Sequence, residues 1–125
     1  MASHKDSPKK PALLKVHIGS RVFEVAEIFD GSMPDNLGEV LFSLGKINLA
    51  PNQTEDCLAD TLFHEVIHAI DYIFGPPGTY LTEEQVIRIT GGILMVLHDP
   101  RNEEFVNRFL LSKCDRKLMK KERRA

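Results

Sequence analysis

Two cysteines in 125 residues, Cys57 and Cys114, fit no paired zinc or redox spacing, and two reduced thiols are the expectation. No apolar run is long enough to cross a bilayer, and no signal-peptide hydrophobic region follows Met1. A cytoplasmic protein without a membrane partner is therefore expected. An excess of either charge is missing as well: 16 Lys and Arg stand against 18 Asp and Glu, a formal net charge of −2. Without a global basic field, nucleic acid is not the expected partner. No internal repeat is visible, and nothing in the chain specifies an oligomeric state. Hydrophobic residues make up 42% and charged residues 27%, proportions that allow one ordinary globular core.

Against these absences stands one dense stretch, Thr61-Leu62-Phe63-His64-Glu65-Val66-Ile67-His68-Ala69-Ile70-Asp71-Tyr72. It contains His-Glu-x-x-His (HExxH) within a helical pattern. Positions i and i+4 of a helix share one face, so His64 and His68 can offer imidazole nitrogens to one metal ion. Zn²⁺ accepts that geometry when a carboxylate or third His completes the protein ligands and water takes the open position. Glu65 then stands beside the metal, where a carboxylate can take a proton from water. The bare pattern is weak, but its surroundings strengthen it. Leu62, Phe63, Val66, Ile67, Ala69, Ile70 and Ile73 imply a helix buried on most of its surface, where two His and a Glu are costly unless paired or metal-bound. The plainer alternative is an amphipathic helix whose His make ordinary hydrogen bonds.

Residues 1–12 read as a disordered polar leader, 13–112 as one folded domain and 113–125 as a basic tail. His4, in the leader, is not expected to be a ligand. Leu13 to Ile18 and Arg21 to Val25 read as two strands around a Gly19-Ser20 turn, with His17 facing solvent or a helix flank. Asp30 to Gly38 is a loop by composition. Glu39 to Leu44 and Lys46 to Leu49 form a second extended pair around Gly45. Asn52 or Thr54 caps a helix that runs from Glu55 to Phe74 and ends at Gly75-Pro76-Pro77-Gly78. Thr82-Glu83-Glu84-Gln85 is a capping box that opens a second helix reaching His98. A third helix spans Glu103 to about Leu111. Strands followed by helices make the fold class α+β. The tail carries seven Lys and Arg against two acids and reads as a solvated end, with a nucleic-acid contact the lesser reading.

A third metal ligand is expected from the second helix, where Glu83, Glu84 and His98 are available. Val86, Ile87, Ile89, Thr90, Ile93, Leu94, Val96 and Leu97 form a broad apolar face, and Glu83 falls at its edge while Glu84 lies opposite. An acid on the buried side needs a partner, which favours Glu83 and leaves Glu84 as the alternative. Both acids also suit a helix N-terminus without any metal. Gly91 and Gly92 in mid-helix are unfavourable by roughly 1 kcal/mol each against Ala, and a close approach between the two helices would account for them. Asp71, three residues beyond His68, is placed to accept the second N–H of a ligand His or of a neighbouring group, or else to face solvent. Tyr72 and Tyr80 either donate to an oxyanion or simply pack their rings.

Leu62 to Tyr72, followed by Leu81-Thr82-Glu83-Glu84-Gln85-Val86, resembles small phage- and bacteria-encoded metallopeptidase-like proteins. These are HExxH zincins, and the likeness is greatest to the gluzincins and the ImmA/IrrE-type peptidases. The resemblance implies Zn²⁺ held by His64, His68 and Glu83, with Glu65 as the catalytic base. It also implies a small, mostly antiparallel sheet packed on the HExxH helix, with two further helices. An edge strand at Ile47-Asn48-Leu49 would hold an extended peptide or protein substrate by strand addition. In the ImmA/IrrE type an Ala-Asn pair follows the Glu ligand at the third and fourth places, where this chain has Val86 and Ile87. The expected activity is that of a hydrolase, a zinc metallopeptidase in the cytoplasm of a bacterial or phage-infected cell. The alternative is a catalytically silent binding or assembly protein with the same fold.

Overall fold

The computed structural model describes residues 13–33 and 36–111. The expected leader (1–12) and basic tail (113–125), with His4 and Cys114, lie outside the described residues. The chain divides into two compact units, Met1–Gly91 and Gly92–Ala125.

In the first unit, alternating apolar and polar residues make Leu14–Ile18 (β1) and Arg21–Glu27 (β2) an antiparallel hairpin, with Val16 opposite Phe23 and Leu14 opposite Val25. Ile18, Phe23 and Val25 are buried, whereas Lys15, His17 and Glu24 alternate onto the exposed face. His17 thus lies where its register places it. Gly38–Leu41 (β3) and Lys46–Leu49 (β4) form the second antiparallel pair. This pair is shorter than the sequence implies, because Phe42–Leu44 leaves the strand as a 3₁₀ turn that ends at Gly45. Gly45 has φ 63°, and a Cβ there would lie 2.8 Å from the Val22 carbonyl oxygen, so only glycine suits the position.

The strand order is β1-β2-β4-β3, and β2 pairs with β4 in parallel. The sheet is therefore mixed: two pairings are antiparallel and one is parallel. This order corrects the expectation for Ile47-Asn48-Leu49. Ile47 is paired on both sides, with Val25 and with Val40, so β4 is an interior strand and the edges are β1 and β3. The cause is burial. Ile47 is 0% and Leu49 2% exposed, and such a strand is most stable between two neighbours, while the half-buried β3 takes the edge.

Glu55–Phe74 (α1) lies against β3 and β4. Thr54 accepts from the Cys57 N–H at 3.2 Å and caps the helix, and Glu55 and Asp56 occupy its first turn. Ala69 of α1 joins Ile18, Phe23, Val25, Ile47 and Leu49 in one core, flanked by Leu58, Leu62, Val66 and Ile73. Each large side chain removed from water there contributes roughly 1.5–3 kcal/mol. The helix is less enclosed than its composition implies. Only Thr61, Glu65 and Ala69, a single i, i+4, i+8 stripe, are fully buried, and Ile70 is exposed.

Glu83–His98 (α2) begins in the first unit behind the expected capping box. Thr82 donates its N–H to Gln85 Oε1 at 2.9 Å, and the Gln85 N–H returns to Thr82 Oγ1 at 3.1 Å. Its buried side is a narrow stripe of Val86, Thr90 and Leu94 rather than a broad face, since Ile87, Ile89, Ile93 and Val96 are exposed. Among the described residues nothing lies within 4 Å of a Cβ built on Gly91, so close approach to α1 does not account for that glycine.

In the second unit α2 ends at His98, and Asp99 caps a 3₁₀ turn over Pro100–Asn102. The expected third helix is α-helical only over Glu103–Phe105 (α3) and continues with wider π-type winding over Val106–Leu111. Among the described residues no helix is long and apolar enough to cross a membrane.

Candidate metal centre

The helical repeat of α1 sets His64 and His68 one turn apart on one face, and their Nε2 atoms lie 3.2 Å from each other. Both rings are mostly covered, with 17% and 19% of the side chains exposed. The Glu83 carboxylate at the start of α2 meets both. Its Oε2 is 2.9 Å from His68 Nε2, and its Oε1 contacts His64 Nε2. Among the described residues these three side chains form the one group whose ligand atoms converge as a metal site requires. The structure thus brings together His64, His68 and Glu83. Glu84 is exposed and stands outside the group, and His98 is an exposed residue of the second unit. The premise behind Glu83 needs correction, since its side chain is 65% exposed rather than buried. What recommends it is its position over the two His rings.

The donor set fits zinc. Two imidazole nitrogens and a carboxylate are the borderline ligands Zn²⁺ takes in catalytic sites, and bonds of about 2.0–2.1 Å in a tetrahedron separate ligand atoms by about 3.3 Å. Two of the three separations, 3.2 and 2.9 Å, approach that edge, while His64 Nε2 and Glu83 Oε1 lie closer together and would have to part to admit the ion. Two imidazole nitrogens and a carboxylate also crowd their lone pairs together, an arrangement that a proton or a cation between them relieves.

Glu65 is 8% exposed and makes no side-chain hydrogen bond among the described residues. Burial pushes its carboxyl above the usual glutamate range. His64 and His68 pull it down, and the nearby acids Glu83 and Glu39 push it up again. A carboxylate so placed is a stronger base than a solvated one. It opens into a cleft of about 590 Å³ lined by Asn36, Leu37, Gly38, Asp60, Thr61, His64, Glu65 and Glu83. Gly38 is part of the wall by necessity. A Cβ there would lie 2.7 Å from Thr61 Cγ2 and 3.2 Å from Glu65 Cγ, so the edge strand passes in van der Waals contact with the base only as glycine.

Gln53 joins the walls of this cleft. Its Nε2 donates to the carbonyls of Leu37 (3.0 Å) and Ala50 (2.9 Å), and its Oε1 accepts from Thr61 Oγ1 and Cys57 Sγ, both at 2.9 Å. One amide thereby ties the entry to β3, the end of β4 and the first turns of α1. Sequence reasoning missed Gln53, Gly38, Asp60 and Thr61. The last two precede His64 by four and three residues, so helical periodicity alone places them on the His64 face. No local signal marks Gln53 or Gly38.

Asp71 does not reach either His ligand. Its Oδ2 accepts the backbone N–H of Leu81 at 2.8 Å, the neighbouring-group role among those open to it. Tyr72 packs its ring between neighbours, stacked on Phe42 (centroids 4.2 Å apart) and on Tyr80 (6.1 Å). Comparison with protein-family models, with characterised proteins and with solved structures found no match to this chain.

Proposed function

We propose that the protein is a zinc-dependent metallopeptidase of zincin type, a hydrolase that cleaves a peptide bond. The convergence of His64 Nε2, His68 Nε2 and the Glu83 carboxylate beside an unpartnered, buried Glu65 is the observation that carries this reading. His64, His68 and Glu83 would hold the metal. In such a site Zn²⁺ supplies Lewis acidity, which makes water a nucleophile near neutral pH and polarises a carbonyl. Glu65 accepts the proton of the attacking water on its carboxylate, and its raised affinity for protons suits it to hold that proton and pass it to the leaving amine.

The substrate backbone belongs at the β3 edge of the sheet, the edge whose Gly38 lines the cleft. The Ala50 N–H bonds to the Leu37 carbonyl at 2.8 Å, so in an antiparallel pair Leu37, Glu39 and Leu41 turn their polar groups toward β4. Gly38 and Val40 consequently turn theirs outward, where an extended peptide can add as a further strand beside Glu65.

The test is metal content followed by hydrolysis. The purified protein is expected to hold about one zinc per chain and to lose it in His64→Ala. Glu65→Gln is expected to keep the zinc and to lose cleavage of a peptide library by at least a hundredfold, within the range removed with a general base. Protein that takes up no metal when zinc is added would overturn the reading.

A further inference from the structure

The two helical ligands and the third ligand come from different elements, and the connection between them is gripped in an unusual way. Two adjacent residues of α1 hold two adjacent residues of the segment leading to α2. Asp71 Oδ2 accepts the Leu81 N–H at 2.8 Å, and the Tyr72 ring stacks on Tyr80 with centroids 6.1 Å apart and planes 22° from parallel. Tyr72 is itself braced against Phe42, 4.2 Å away at 13°. The helix also turns tightly around Asp71 at its end. The Gly75 N–H bonds to the Asp71 carbonyl at 2.7 Å, and a Cβ on Gly75 would lie 2.8 Å from Asp71 Oδ1.

Leu81 is two residues before Glu83, and Asp71 is three residues after His68. The carboxylate of Glu83 is largely exposed, and the first buried side chain of α2 is Val86, so little packing near Glu83 locates it. The capping box shapes the first turn of α2 but is internal to it, so it does not tie that turn to α1. The Asp71–Leu81 hydrogen bond ties the backbone just ahead of Glu83 to the helix carrying His64 and His68, beside the Tyr72–Tyr80 stack.

We propose that Asp71 is a positioning residue for the third ligand. Through the Leu81 N–H it holds Glu83 over the His pair, and so sets the metal affinity of the centre without touching the ion. The proposal rests on the metal-binding reading above. It predicts a loss typical of groups that orient ligands, roughly ten- to a hundredfold in affinity.

The experiment measures Zn²⁺ affinity by competition with a chromophoric chelator for the full chain, Asp71→Ala, Asp71→Asn, Glu83→Gln and the Asp71→Ala/Glu83→Gln double variant. Asp71→Ala is expected to bind about tenfold more weakly or worse. Asp71→Asn, whose amide oxygen still accepts from Leu81, is expected to stay within a few-fold of the parent. The double variant is expected to bind no more weakly than Glu83→Gln alone, since Asp71 acts only through Glu83. With Co²⁺ in place of zinc, the visible spectrum of Asp71→Ala should move toward that of Glu83→Gln, a change that general loss of stability would not produce. If Asp71→Ala does not fold, Tyr80→Ala loosens the same connection and should weaken zinc with the same dependence on Glu83. Parent-like affinity in Asp71→Ala, or losses that multiply in the double variant, would overturn the positioning role while leaving the metal centre standing. A parent protein that binds no zinc would overturn both.

Discussion

Glu65 and Thr90 are both buried polar residues, and their surroundings give them opposite uses. Burial raises the affinity of Glu65 for a proton, so the metal-free protein loses stability as pH rises from the ordinary glutamate range through the raised value. The folded state binds the extra proton across that interval, which fixes the sign. Glu65→Gln removes the titration. Without metal it should melt above the parent at pH 7, and the gap should close toward pH 4; thermal unfolding in chelator across that range checks this, and a constant gap would refute it. Thr90 is 5% exposed, and its Oγ1 has no partner among the described residues. An unsatisfied buried hydroxyl costs about 1–3 kcal/mol, so Thr90→Val should stabilise the protein by roughly 1 kcal/mol in denaturant unfolding.

At the scale of elements, helices and strands were legible to different degrees. Thr54 and Gly75 bound α1, and the Thr82–Gln85 pair opens α2, because capping groups act on backbone two or three residues away. Strand signals ended correctly at Ile18 and Leu49 but ran too far at Phe42–Leu44, where Gly45 and the Val22 carbonyl require a turn. Glycines separate the two situations well. Gly38→Ala forces a methyl against Thr61 and Glu65 and should destabilise by about 1–3 kcal/mol, with weakened hydrolysis. Gly91→Ala enters open space in mid-helix and should stabilise by up to about 1 kcal/mol. Equilibrium unfolding of the two variants side by side measures both signs.

For the whole molecule, a ligand bound only by the folded state stabilises by mass action. Zinc at a hundred times its dissociation constant should add about 2.7 kcal/mol, reversed by chelator and absent in His68→Ala, as read from the unfolding midpoint. By itself the sequence determined the caps, the extent of α1, the shared face of His64 and His68, and the α+β class, since each follows from neighbours within a turn or from strand alternation. Tertiary structure alone decided that β4 is interior and β3 the edge, because strand order depends on which apolar strand buries most when the sheet meets α1. It also decided that Glu83, favoured in the sequence as a buried acid, meets the His pair with an exposed carboxylate, that Gln53 ties the cleft together, that Gly38 passes against Glu65, and that Asp71 holds Leu81. Those contacts join residues 8 to 27 positions apart, and at such separations local spacing carries no information about which side chains meet.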